Sequence, residues 1–136
     1  MNLATLHLPT RQLRQVLAFD ALAGAGLAAL HLALAAPLAA WFGLSEALLT
    51  AMGWALPVYA LLAGLLARQR TPSRAWLLLL VLGNLGWALA CLALAWGGTG
   101  VTPLGQAYLT AFAVAVLVLA DLEFLGWRAP GLRPAV

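Results

Sequence analysis

The chain has 136 residues, 65% of them hydrophobic and 8% charged, whereas an ordinary soluble domain is about half apolar and about a quarter charged. A domain this small has too much surface for its volume to hide so much apolar side chain, so a water-soluble globule is excluded and lipid is the expected solvent. The net charge of +3 comes from seven Arg and no Lys against Asp20, Glu46, Asp121 and Glu123. The arginines lie in short stretches between apolar runs and not on one folded face, so nucleic acid is not an expected partner.

Crossing a hydrocarbon core takes about 20 apolar residues in a helix, and the chain holds four such runs. They predict helices over 11–41, 46–67, 74–96 and 103–127, an all-α transmembrane bundle in which 1–136 form a single membrane domain. The first run follows Thr10, Arg11 and Arg14 and contains Asp20 and His31. Its apolar stretch is longer than the roughly 7–15 residues of a signal-peptide core and is interrupted by those two polar residues, which predicts a retained first helix.

Helix 2 opens at Ser45-Glu46, with the serine placed to cap the free amides of the first turn. Pro57 is expected to bend it, because proline lacks an amide and crowds the preceding turn. It ends at Arg68-Gln69-Arg70-Thr71-Pro72. Gly24 and Ala28 in helix 1, and Ala60 and Gly64 in helix 2, have the four-residue spacing of small side chains that lets helix backbones approach. Helix 3 follows Ser73, carries Asn84, Trp87 and Cys91, and stops at Gly97-Gly98-Thr99-Gly100. With one cysteine, the chain has no internal disulfide and no Cys-based metal site. Helix 4 follows Thr102, begins on Pro103, carries Asp121 and Glu123 near its end, and stops at Pro130-Gly131.

All seven arginines flank the start of helix 1, the loop between helices 2 and 3, or the end of helix 4. Because Arg near helix ends is held on the cytoplasmic side, both termini are expected in the cytoplasm. Only an even number of spans puts all seven on that side. Trp41 and Trp96 are expected at the outer interface and Trp76 and Trp127 at the inner one, while Trp54 and Trp87 fall deeper, where an indole N–H needs a partner inside the bundle.

Polar side chains inside a bilayer are costly and are therefore candidate functional groups. They are Asp20, His31, Tyr59, Asn84, Trp87 and Asp121. Asp121 and Glu123 are two positions apart, about 200° around a helix, so at most one faces the interior. The alternative reading of these acids is an interfacial ion-pair layer of Asp20, Asp121 and Glu123 with Arg11, Arg14 and Arg128. His31 follows Asp20 by eleven residues, which returns to nearly the same helical face, with Gly24 and Leu27 between them. A proton relay, a pH-sensitive contact, a haem ligand or a hydrogen bond to a neighbouring helix all suit it. His7 lies too far outside the apolar run to be a second haem ligand, so no cofactor is expected. Asn84 and Tyr59 come out at similar depth, which predicts a hydrogen bond between helices 2 and 3.

No phosphate-binding glycine loop, no histidine pair at metal spacing and no serine placed with a histidine and an acid is present. The expected function is therefore a non-catalytic helical membrane module or accessory subunit. Two alternatives stand beside it: a small proton-coupled or cation transporter or channel acting as a homo-oligomer, and a binder of lipid or apolar ligand between helices with Trp54 and Trp87 as pocket walls. Asp20 near the start of helix 1, a glycine-rich stretch after it and Asn84-x-x-Trp87 in helix 3 resemble small bacterial four-helix integral membrane proteins of uncharacterised activity. That resemblance implies a multi-pass protein of the bacterial cytoplasmic (inner) membrane, and it carries no activity with it.

Overall fold

The computed structural model describes residues 7–134. They form α1 (Thr10–Ala33), α2 (Ala35–Phe42), α3 (Glu46–Arg68), α4 (Arg74–Gly97) and α5 (Pro103–Trp127). All but α2 are long and apolar enough to cross a membrane, at 23 to 25 residues each. At 1.5 Å of rise per residue that is about 35 Å, slightly more than a hydrocarbon core of about 30 Å.

The first apolar run is not one helix over 11–41. It breaks at Leu34, whose φ of −123° and ψ of 26° leave the helical range, and α2 follows as eight residues. Pro37 supplies the physical reason: it has no amide to offer the carbonyl of Ala33, and its ring crowds that same carbonyl. Pro57 lies inside α3, which continues through it from Glu46 to Arg68.

Of Thr10, Ser45, Ser73 and Thr102, which precede the four apolar runs, two cap a helix through their side chains. Ser45 Oγ accepts from the amide of Leu48 at 3.1 Å, and Thr102 Oγ1 accepts from the amide of Gly105 at 3.1 Å with Pro103 in the first turn. Thr102 also donates to the Trp41 carbonyl at 2.7 Å, tying α5 to the end of α2. Thr10 is already inside α1, and Pro9 occupies the cap position without a side-chain hydrogen bond. Ser73 precedes α4 without capping it, and its own amide donates to Gln69 Oε1 at 3.3 Å. The α2–α3 and α4–α5 loops meet at Gly43, which has a φ of +66°, and a side chain there would overlap the Gly100 carbonyl.

The opposite end of the bundle gathers both ends of the described chain. The Leu8 amide donates to the Leu125 carbonyl at 3.2 Å, and Arg133 pairs through backbone with Arg74 and Pro72 at 3.1 and 3.2 Å. All seven arginines therefore cluster at this end. The expected ion-pair layer with Asp20, Asp121 and Glu123 does not form among the described residues. The guanidiniums bind oxygen atoms that are not carboxylates: Arg14 donates to the Ala67 carbonyl at 2.7 Å, Arg74 to the Trp127 carbonyl at 3.1 and 3.2 Å, and Arg133 to Thr71 and Gln69. Ala67 and Trp127 sit in the last turns of α3 and α5, where carbonyls lack helical partners and carry partial negative charge.

Packing is strongest within two pairs, α1 with α3 and α4 with α5. Small residues mediate the first pair: Gly24 faces Ala60 and Gly64 faces Ala21, the predicted close approach. The core is divided into two apolar clusters. One, at the loop end, includes Leu38, Phe42, Leu49, Ala88, Cys91, Leu109 and Ala113. The other, at the arginine end, includes Leu13, Leu17, Ala63, Leu66, Leu77 and Leu80.

Candidate functional site: a cavity between two hairpins

Between these clusters, at the seam where the α1–α3 pair meets the α4–α5 pair, lies a cavity of about 640 Å³. Val16, Phe19, Ala23, Gly24 and Leu27 of α1, Leu56 and Ala60 of α3, and Phe112, Val116, Leu119 and Leu122 of α5 make most of its wall. Phe19 and Val118, both exposed, stand at its rim. Its few polar groups are Gln15, Asp20, Tyr59 and Asn84, with Trp87 beside them. A concave, mostly apolar space of about 300–1,000 Å³ with a few convergent polar groups is the usual form of a small-molecule site.

Asp20, Tyr59 and Asn84 form one cluster with Glu123. Asn84 Nδ2 donates to Glu123 Oε2 at 3.0 Å, not to Tyr59 as its depth suggests. Asp20 approaches this pair from α1 and interacts with both Glu123 and Asn84. Glu123 is completely buried behind the cavity wall, and its Oε1 has no donor. Two carboxyl groups brought together in apolar surroundings repel when both are ionised. Tyr59 takes its place because position 83 is glycine: its hydroxyl occupies the space that a side chain at Gly83 would fill.

Helix direction explains how residues from different levels converge. Side chains on a helix lean toward its N-terminus. Asp20 and Asn84 therefore lean toward the arginine end, while Glu123, on a helix running the other way, leans away from it. Asp20 is also deeper than its place in the apolar run suggests. It is the eleventh residue of α1, about 15 Å along the axis from Thr10.

The remaining candidates lie elsewhere. His31 is completely buried and stands apart from the cavity; its Nε2 is 2.6 Å from the Tyr108 hydroxyl, and Tyr108 stacks on Phe42 with ring centroids 4.4 Å apart. The shared face of Asp20 and His31 thus serves two separate sites. Asp121 points outward and is exposed, so the acid of this helix that enters the cluster is Glu123. Trp54 is 66% exposed and is not among the residues that line this cavity. Trp87 does line the cavity, edge-on to Phe112 at 6.3 Å, with its indole N–H buried and unpaired.

Glu123 could have been found from sequence. It continues the positions Leu109, Ala113, Val116 and Ala120, which alternate four and three residues apart and are buried. Val114, Val118 and Phe124 are exposed. The inward stripe is thus the one rich in small residues, and Asp121 is off it. The geometry of this site stands alone, since no protein-family model, no curated protein and no solved structure matches the chain.

Proposed function

We propose that this protein is a non-catalytic, multi-pass membrane module that holds an apolar or lipid-like ligand between its two helix pairs. The cavity carries this reading: about 640 Å³ of space lies between the two helix pairs, its walls are aliphatic and aromatic, and Asp20, Tyr59 and Asn84 converge at one place on them. Four helices of sufficient length and apolarity support the membrane setting. The arginine-rich end is assigned to the cytoplasm by the bias of Arg toward that side, and a bacterial inner membrane suits the chain's size and span count.

Native mass spectrometry of the protein released from mild detergent tests the reading. The expected spectrum shows a bound small molecule that disappears in Ala115→Trp, whose new indole fills the cavity from an exposed position on its wall. Protein with no retained mass and no affinity for added apolar probes would remove the ligand-binding function.

A second reading, a small proton-coupled or cation transporter working as a homo-oligomer, is favoured by one observation: Asp20, Asn84 and Glu123 meet in apolar surroundings. Ionisable groups within a membrane commonly mark ion and proton pathways. Proton flux into liposomes that falls in Asp20→Asn and in Glu123→Gln is the result this reading requires. Equal flux in all three proteins rejects it.

A further inference from the structure

Building on the cavity as a ligand site, we infer that its occupant is an amphipathic organic cation, an apolar body with one ammonium head, and that the head exchanges with a proton shared by Asp20 and Glu123. The first ground is the composition of the cluster. Glu123 is completely buried, one of its oxygens has no donor, and its nearest polar neighbours are the Asn84 amide, already donated to Oε2, and the Asp20 carboxyl. Two carboxyl groups in contact need a proton or a positive charge between them.

Among the described residues, no Arg forms an ion pair with Asp20 or Glu123. On α1, Arg14 is committed to the Ala67 carbonyl; on α4, Arg74 is committed to the Trp127 carbonyl, and the residue facing the acids is the neutral Asn84. From α3, Tyr59 faces them, and on α5 Asp121 points away to the exposed side. The missing positive partner is therefore a proton, or a ligand that arrives through the cavity, where Asp20 is on the wall.

The second ground is the shape and chemistry of the space. Phe19, Tyr59, Trp87 and Phe112 all line it, and aromatic faces attract organic ammonium groups while aliphatic walls accept the attached hydrocarbon. A divalent metal ion is a poorer fit. Hard cations take about six or more oxygen ligands, and no three His, Cys, Asp or Glu side chains converge among the described residues. When the ammonium head enters beside Asp20, the shared proton leaves to water, so the site carries one net negative charge before and after. Because binding releases a proton, affinity rises with pH.

The test uses the full chain in phosphatidylcholine nanodiscs with two fluorescent probes, pyrene and 1-pyrenylmethylammonium, read by energy transfer from tryptophan against empty nanodiscs. The ammonium probe is expected to bind about tenfold more tightly than pyrene, to release about one proton per bound molecule into weakly buffered solution, and to lose its advantage in Asp20→Asn. Both probes are expected to be excluded by Ala115→Trp. Equal affinity of the two probes, both blocked by Ala115→Trp, overturns the cation assignment and leaves the cavity as an apolar site. Failure of both probes to bind overturns the cavity reading itself. Tight ammonium binding without proton release overturns the exchange. The proton count is made on the natural sequence, so it stands even if Asp20→Asn does not fold.

Discussion

His31 and Tyr108 show what one polar pair contributes when it is sealed in an apolar core. The imidazole is completely buried, Nδ1 has no partner, and the single contact at 2.6 Å joins Nε2 to the Tyr108 hydroxyl. Tyr108→Phe removes that contact and leaves both ring nitrogens buried without a partner. The expected loss is about 1 kcal/mol, between the average for an interhelical hydrogen bond in lipid and the cost of an unsatisfied buried group. Reversible unfolding in mixed micelles measures it. Because this pair stands apart from the cavity, ligand binding in Tyr108→Phe should stay within about twofold of the natural protein, on the expectation that separated sites act independently. A large loss of binding would join the two sites. At this scale the sequence identified most of the polar groups but mismatched their partners. Asn84 and Tyr59 share a depth along the axis, but the actual bond to Glu123 depends on a side chain leaning back along an antiparallel helix.

Helix starts test the same logic at the level of elements. Thr102 and Thr10 both precede an apolar run and look alike in sequence, yet only Thr102 accepts a first-turn amide, at 3.1 Å, and it also holds the Trp41 carbonyl. Thr102→Ala is therefore expected to cost about 1 kcal/mol or somewhat more, and Thr10→Ala less than about 0.5 kcal/mol. Unfolding midpoints of the two variants, measured side by side, check this; equal losses would contradict the capping geometry. The four long helices were legible because apolar length is a coarse signal that survives small errors in boundary. The break at Leu34 is not legible in the same way, because a proline such as Pro37 does not by itself decide whether a helix ends. A proline inside an apolar run either breaks the helix, as Pro37 does, or is carried within it, as Pro57 is in α3. Neighbouring packing decides between the two outcomes: α2 has its own place against α3 and α5, with Leu38 and Phe42 buried.

At the scale of the whole molecule, two unlike ends follow from one distribution of charge. The arginine end closes with guanidiniums on helix-terminal carbonyls and with the C-terminal segment paired to the α3–α4 loop. The other end has two short loops meeting at Gly43 and Gly100, with no Arg or Lys in either. An end with seven arginines resists transfer across a bilayer, and an end without them does not, so insertion is expected to carry the Gly43 and Gly100 loops to the outer face. A single cysteine at Thr99, an exposed position in the α4–α5 loop, tests this when the buried Cys91 is first replaced by alanine. A membrane-impermeant maleimide should label Thr99→Cys on intact cells, while Thr71→Cys, exposed in the α3–α4 loop, should label only after permeabilisation. The reverse pattern inverts the orientation while leaving the fold intact. Labelling of both positions on intact cells would place the two ends on one side of the membrane, and the four helices would then not be spans at all.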